Sequence, residues 1–151
     1  MAKKTYSIDL SLGYVPITIN FVEDKEPVTI MFNPADDDMS RRLFEAEKRI
    51  DENVKELKDI KVDEDGNLDV DSATEFMTEK NRIIADAVDY AFGNKISDEL
   101  FKYCSPTAVI AGRYYIEHFI EKIIPVIQEI REKEAKKAEA HNKKYYSKYR
   151  K

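Results

Sequence analysis

The spacing of apolar residues changes once along this chain, and that change most limits the folds it can adopt. Up to residue 32 apolar residues alternate with polar or small ones, which is the period of half-buried strands. From residue 39 onward they recur at intervals of three and four, which is the period of a helix with one apolar face. The sequence therefore predicts an α+β fold that is mainly α, with its strands near the N-terminal end.

A β-hairpin or three-strand meander is predicted between residues 5 and 32. Gly13 can separate the first strand from the second, and the polar stretch 23–27 makes the next turn. A lone hairpin is marginal in water, so we expect helices or another subunit to cover its apolar face. The alternating apolar positions are Tyr6, Ile8, Leu10, Leu12, Ile17, Ile19, Phe21, Val28, Ile30 and Phe32.

Three to four helices are predicted after the strands. Apolar spacing and capping residues place them at about 39–60, 72–92, 97–104 and 106–130. Ser72, Ser97 and Ser105 each stand where a helix begins, as capping residues do. Gly93 supplies a left-handed stop for the second of these helices. Pro125 lies inside the last and longest one and predicts a kink there, because proline removes an N–H bond and crowds the preceding turn.

The chain is predicted to hold one domain, residues 1–130, followed by a basic helical extension that frays, residues 131–151. A length of 151 residues suits one core. Nine Lys or Arg and three Glu fall in residues 131–151, which gives this end a charge of +6 and leaves −11 on the rest. An acidic body with a basic end favours charged partners or stacking on further copies of the chain.

The composition argues against the common catalytic sites. Four separated glycines provide neither a dinucleotide-binding fingerprint nor a phosphate-binding P-loop. One cysteine and two histidines cannot form a four-ligand zinc site without carboxylates. Cys104 and His118 could be imagined as a nucleophile and its base, but Cys104 ends an apolar stripe and reads more simply as a small buried residue. We therefore expect no enzymatic activity, no cofactor and no metal.

The acidic segment 61–71 has a partial likeness to an EF-hand calcium loop. Asp63, Asp65 and Gly66 fall at loop positions 3, 5 and 6. Lys61 stands at position 1 and Ser72 at position 12, where that loop needs a bidentate glutamate. The segment is better interpreted as a solvated turn, flanked by short strand pieces.

A cytoplasmic location is expected from the sequence. No apolar run approaches the ~18 residues of a membrane span, and the first four residues, Met-Ala-Lys-Lys, lack the hydrophobic stretch of a signal peptide. The single cysteine agrees with a reducing compartment. We expect no membrane partner.

Three short motifs and the order of elements carry a resemblance to a known family. The motifs are Asp-Tyr-Ala-Phe-Gly at residues 89–93, Asp-Glu-Leu-Phe at 98–101 and Phe-Ile-Glu-Lys-Ile-Ile-Pro at 119–125. With a preceding hairpin and acidic amphipathic helix, this arrangement resembles the tail assembly chaperones of long-tailed bacteriophages and prophages of Gram-positive bacteria. Residues 80–130 are the most similar part.

The resemblance implies a mostly helical, non-enzymatic protein of the infected bacterium's cytoplasm that is absent from the mature virion. Members of that family coat the tape-measure protein and help recruit tail-tube subunits, often as homo-oligomers. The residues we expect to bind partners are the apolar stripes of two helices and the basic, tyrosine-rich end: Leu43, Ile50, Val54, Leu57, Ile116, Phe119, Ile120, Ile123, Ile127, Lys143, Lys144, Tyr145, Tyr146, Lys148, Tyr149 and Arg150.

Two other functions remain open at this point. Residues 142–151 contain five Lys or Arg, three tyrosines and no acid, a mixture found where proteins hold single-stranded nucleic acid. A small nucleic-acid-binding regulator is therefore an alternative, although the acidic body would repel phosphate. A structural connector of the virion is the other alternative.

Overall fold

The computed structural model describes residues 3–149 and has the predicted class, α+β and mainly α. Its elements are β1 (Val15–Ile19), β2 (Val28–Phe32), α1 (Met39–Lys55), α2 (Val70–Phe92), α3 (Ser97–Leu100), β3 (Val109–Ile110), β4 (Arg113–Tyr114) and α4 (Tyr115–Tyr149).

The β1–β2 hairpin is antiparallel and packs one face on the helices. Val15 lies opposite Phe32, and Ile19 lies opposite Val28. The inward side chains of β2 are fully buried, whereas Thr29 and Met31 between them are exposed. This alternation confirms the predicted period of two within β1 and β2.

The strand predicted before β1 is absent. Residues 3–14, here named the N-terminal arm, have no regular structure and are exposed throughout. Tyr6, Ile8, Leu10 and Leu12 alternate as a strand would, but an alternating pattern forms a strand only where a neighbour supplies hydrogen bonds. The structure therefore contains a two-strand hairpin at this position rather than a three-strand meander.

The core lies between the hairpin, α1, α2, α3 and the first half of α4. The inner positions of α2 supply much of it, because that helix buries a broad face. The buried residues of the whole core are Ile17, Ile30, Phe32, Met39, Ala46, Ile84, Ala87, Val88, Ala91, Phe92, Ile96, Leu100, Phe119, Ile123 and Ile127.

Two predicted helix boundaries need correction in the middle of the chain. The first helix ends at Lys55 rather than at residue 60. The second begins at Val70 rather than at residue 72, because Asp69 caps it by accepting a hydrogen bond from the backbone N–H of Asp71 at 3.2 Å. The hydroxyl of Ser72, the predicted cap, instead accepts from the N–H of Lys61 at 2.9 Å.

The short helix α3 also differs from the prediction. It spans Ser97–Leu100 instead of residues 97–104. Ser97 is not its cap, because the first N–H groups of this helix point to the carboxylate of Asp89 on α2. A side chain from another helix thus takes the place of the local cap.

Residues 106–114 are not the predicted helix start. They contain the small hairpin β3–β4, whose turn residues Ala111 and Gly112 both have left-handed backbone conformations, with φ of 50° and 79°. Two consecutive left-handed residues suit a two-residue hairpin turn. Thr107 is held by Asn81 of α2, whose side-chain oxygen accepts from the hydroxyl at 2.7 Å and from the N–H at 3.3 Å. These hydrogen bonds to α2 favour the observed conformation over the helix that Ser105 was predicted to cap.

The last helix begins later and ends later than predicted. It runs from Tyr115 to Tyr149 without a break at residue 130, so the part expected to fray is helical as far as residue 149. Lys133 pairs with Glu129 at 3.1 Å and Lys137 with Glu134 at 3.3 Å, spacings that support a helix weakly. Pro125 lies in the interior of this helix, and the kink there stays a prediction.

Candidate partner-binding surfaces

The apolar stripe of α1 is covered by the chain's own α2. Leu43 and Ile50 pack against the core, and Val54 and Leu57 are half-buried. The predicted apolar stripe is present on α1, but the helix that covers it belongs to the same chain.

Polar contacts tie α1 to the C-terminal end of α2. The guanidinium of Arg42 donates a hydrogen bond from Nε to the carbonyl oxygen of Tyr90 at 3.0 Å and also pairs with Asp36. Arg49 lies over the ring of Tyr90 at 3.8 Å from its centroid. A cation at the end of a helix interacts favourably with its free carbonyls, so these contacts stabilise the pairing of α1 with α2.

Asp36 is the carboxylate that pairs with Arg42 in this arrangement. Its side chain and that of Arg42 are each less than a fifth exposed. The hydrogen bond from Arg42 holds the pKa of the Asp36 carboxyl below its ordinary value of 3.8, against the opposing effect of burial. Arg42 is therefore committed to an ion pair within the fold.

The first half of α4 also faces inward. Phe119, Ile123 and Ile127 are buried, and Ile116 and Ile120 pack against the same core. These five predicted partner-binding residues are occupied by packing within the chain.

Arg131 marks the end of the packed part of α4. Its Nη2 donates to the carbonyl oxygen of Asp36 at 2.8 Å, and its guanidinium lies 5.8 Å from the centre of the Phe32 ring. Beyond it, every residue from 132 to 149 is exposed. We name residues 132–149 the C-terminal extension.

The predicted basic and tyrosine residues lie on this extension. The ring of Tyr145 packs against Tyr146 and Tyr149, with centroids 5.8 and 5.0 Å apart. All three remain more than half exposed. Lys143, Lys144 and Lys148 are exposed beside them, and Arg150 lies outside the described residues.

The C-terminal extension also has a stripe of small and aromatic side chains that the spacing of apolar residues in the sequence did not indicate. Its members recur at intervals of three and four on one face and are Ala135, Ala138, Asn142, Tyr145 and Tyr149. We name this set the extension stripe. Its heptad-like spacing was readable in the sequence, but alanine and asparagine give little hydrophobic signal. This face is a candidate surface for a helical partner.

The N-terminal arm is the second uncovered apolar surface. The side chains of Tyr6, Ile8 and Leu10 are each more than 80% exposed, and Leu12 is 68% exposed. Large apolar residues exposed close together on one segment make the arm a candidate surface for a protein partner.

The two groups considered as a catalytic pair have other contacts. His118 Nε2 lies 2.6 Å from the carbonyl oxygen of Ile110, so the imidazole is engaged by the β3 backbone. The Cys104 thiol is half-buried, and burial raises its pKa, which lowers the fraction of reactive thiolate.

The acidic segment 61–71 forms the expected turn. Val62 and Leu68 make an isolated antiparallel bridge, and one carboxylate oxygen of Asp63 accepts from the N–H groups of Asp65 at 3.0 Å and Asn67 at 2.8 Å. Within residues 3–149, no three His, Cys, Asp or Glu side chains are grouped as a metal would need.

None of the helices formed by residues 3–149 combines the length and the apolar character needed to cross a bilayer. Comparison of the chain with models of protein families, with curated proteins and with solved structures found no match.

Proposed function

We propose that this protein is a non-enzymatic tail assembly chaperone of a bacteriophage or prophage. In this role it binds helical stretches of a tape-measure protein in the bacterial cytoplasm and helps recruit tail-tube subunits, without entering the mature virion. Support comes from the resemblance carried by residues 89–93, 98–101 and 119–125, all of which lie in or beside the packed body.

The observation that carries the proposal is the bare C-terminal extension. Its 18 residues project about 27 Å of helix at 1.5 Å per residue, with each residue exposed. Nothing in the described chain packs on it, so helix propensity and surface ion pairs alone hold these residues in a helix. The extension stripe gives it one face of small and aromatic side chains at the spacing that helices use to interlock. A helical partner packed along this stripe would stabilise the extension.

The charge of the extension indicates the kind of helix it would hold. Six lysines and three glutamates lie between residues 132 and 149. A positive surface attracts acidic partners and raises their association rate. The partner expected here is therefore an amphipathic helical segment with net negative charge.

Co-expression tests this function with two matched variants. Ala138 lies on the extension stripe, whereas Ala140 lies two residues further on and so on the opposite side of the helix. Both are exposed alanines, and replacement by glutamate keeps a good helix former while adding the same charge. We expect the unaltered chain and Ala140→Glu to keep a tape-measure protein soluble, and Ala138→Glu to reduce its soluble fraction severalfold.

The measurement is the amount of tape-measure protein in the soluble fraction and in complex with the affinity-tagged chain. Equal solubility with and without this protein would overturn the proposed function. If both variants act equally, the extension stripe is not the binding surface.

A second candidate function is nucleic-acid binding, which the tyrosine cluster beside Lys143, Lys144 and Lys148 favours. Exposed aromatic rings can stack on bases, and lysines can neutralise phosphates. Binding to a single-stranded oligonucleotide should then fall steeply between 50 and about 200 mM salt and disappear when residues 142–151 are deleted. Binding that is unaffected by salt and by the deletion would exclude this candidate function.

A further inference from the structure

We propose that the N-terminal arm of one copy of this protein adds as a strand to the outer edge of β1 in a second copy. The inference concerns self-association and is independent of the proposed function. It rests on the arm, on the two edges of the β1–β2 hairpin and on Pro16.

The arm has the length and pattern of a strand with one apolar face. Four large apolar side chains, at positions 6, 8, 10 and 12, alternate with polar residues over seven positions, and all four are exposed. A strand with this pattern needs hydrogen bonds from a sheet edge and an apolar surface for one side.

The outer edge of β2 is already covered. Asn94 donates a hydrogen bond from Nδ2 to the carbonyl oxygen of Met31 at 2.6 Å. The helix α3 also contacts β2. Within the described chain, no strand pairs with the outer edge of β1, and Pro16 and Thr18 on that strand are exposed.

The same hydrogen bond shows which β1 groups face outward. The Met31 carbonyl points away from β1. In an antiparallel pair, two directly opposite residues either both direct their backbone polar groups toward each other or both direct them away from each other. Pro16 lies opposite Met31 and Thr18 lies opposite Thr29. The outer edge of β1 therefore presents the Pro16 carbonyl and both backbone groups of Thr18, which is exposed.

Pro16 explains why the arm does not fold back on its own β1. A turn at residues 13–14 would place Leu12 opposite Val15 and Ser11 opposite Pro16. Ser11 and Pro16 would be the first hydrogen-bonded pair after the turn, but proline has no N–H to donate. The predicted meander thus lacks one of the two hydrogen bonds that would close it.

The arm of a second copy is not restricted to this register, because no short turn connects it to the β1 strand on which it pairs. A displacement of two residues puts Ser11 opposite Thr18, which has an N–H, and keeps the apolar side chains on the core side. Leu12 and Leu10 then lie opposite Ile17 and Ile19. Within one chain this register is impossible, since Val15 and Pro16 would be needed both in the turn and in β1.

The area available is adequate for a specific interface. In this register Leu10 and Leu12 lie against β1 and expose roughly 280 Å² on one arm, so two exchanged arms and the surfaces they cover amount to about 1,100 Å², at the low end of specific interfaces. We therefore expect two copies to exchange arms.

Sedimentation or light scattering of the full chain between about 1 and 100 μM tests the exchange through one matched pair of arm variants. Leu10→Asp places a charge on the apolar side of the arm, whereas Ser7→Asp places it on the polar side. The arm lies outside the core, so both variants should fold like the parent chain. Each exchanged dimer buries this leucine twice, so Leu10→Asp should weaken the dissociation constant about 100- to 10,000-fold, with little change for Ser7→Asp.

Cross-linking tests the register. In a Cys104→Ser background, mixing a Ser11→Cys chain with a Thr18→Cys chain should give a disulfide-linked dimer, because these positions lie opposite each other in the exchanged pair. A chain that stays monomeric over the whole concentration range overturns the proposal. So does an association that Leu10→Asp leaves unchanged.

Discussion

Asp89 of α2 holds Ser97, the first residue of α3, by two hydrogen bonds: the backbone N–H of Ser97 donates to Oδ1 at 2.8 Å and its hydroxyl donates to Oδ2 at 2.7 Å. The N–H of Ile96 donates to the same Oδ1 at 2.8 Å. One carboxylate thus satisfies three donors at a helix start, and Ser97 itself is buried. The orientation of α3, which covers the edge of β2, depends on this contact.

Removal of this cap should destabilise the fold. We expect Asp89→Ala to lower the free energy of unfolding by at least about 2 kcal/mol, because it leaves buried donors without an acceptor. Urea unfolding followed by circular dichroism measures the change. Asp98→Ala is the control, since Asp98 is about three-quarters exposed and its pair with Lys95 is a surface contact. Equal losses in the two variants would contradict this account of Asp89.

Gly93 ends α2 in a left-handed conformation, with φ of 69°, and its Cα approaches Arg42. A Cβ built there would lie 2.9 Å from Nη2 of Arg42 and 3.2 Å from a carboxylate oxygen of Asp36. Gly93→Ala should therefore cost about 1 kcal/mol for the left-handed backbone and more for displacing the ion pair.

Gly66→Ala separates these two costs. Gly66 is also left-handed, with φ of 80°, but nothing lies within 4 Å of its Cβ position. Thermal unfolding should show the larger fall in midpoint for Gly93→Ala. Equal falls would mean that the contact with Arg42 adds nothing.

The pair formed by Asp36 and Arg42 predicts a pH dependence of stability. The pKa of Asp36 in the fold is below its ordinary value of 3.8, so the ionised carboxylate stabilises the fold above about pH 4. This contribution is lost as the pH falls through the lowered pKa. Asp36→Asn should be less stable than the parent chain at neutral pH, by about 1–3 kcal/mol.

The difference between the two chains should shrink as the pH falls below about 4, because Asp36 then binds a proton in the unfolded parent before it does so in the folded parent. Urea unfolding at several pH values measures it. A difference that stays constant from pH 7 to about 3 would exclude Asp36 as the titrating group.

The C-terminal extension should be helical without adding to the stability of the body. A chain that ends at residue 131 keeps the contacts of Arg131 with Asp36 and Phe32. It should lose roughly a quarter of its helical ellipticity, while its thermal midpoint stays within about 2 °C. A chain that ends at residue 122 should fail to fold, because it lacks Ile123 and Ile127 of the core. A large fall in the midpoint of the first chain would contradict the exposure of the extension.

Local patterns were sufficient to predict the hairpin from residue 15 and the positions of α1 and α2. In each case the apolar period records which side of the element is buried, and that information lies within the element itself. The left-handed stop at Gly93 was equally readable, because glycine tolerates a conformation that other residues avoid.

Patterns that depend on another part of the chain were misread. The serines at 72, 97 and 105 have the residue type of a cap, but Asp69, Asp89 and Asn81 determine the local structure there through hydrogen bonds. Two of these three groups come from a different element, which sequence order does not reveal.

The sequence by itself determined the fold class, because alternating and helical apolar periods can each bury a face in only one kind of element. It also determined that the chain has an acidic body and a basic end. Only the tertiary structure decided which apolar faces are covered. The stripe of α1 and the first half of α4 are buried within the chain, while the N-terminal arm and the extension stripe remain exposed, because burial depends on which elements meet in space.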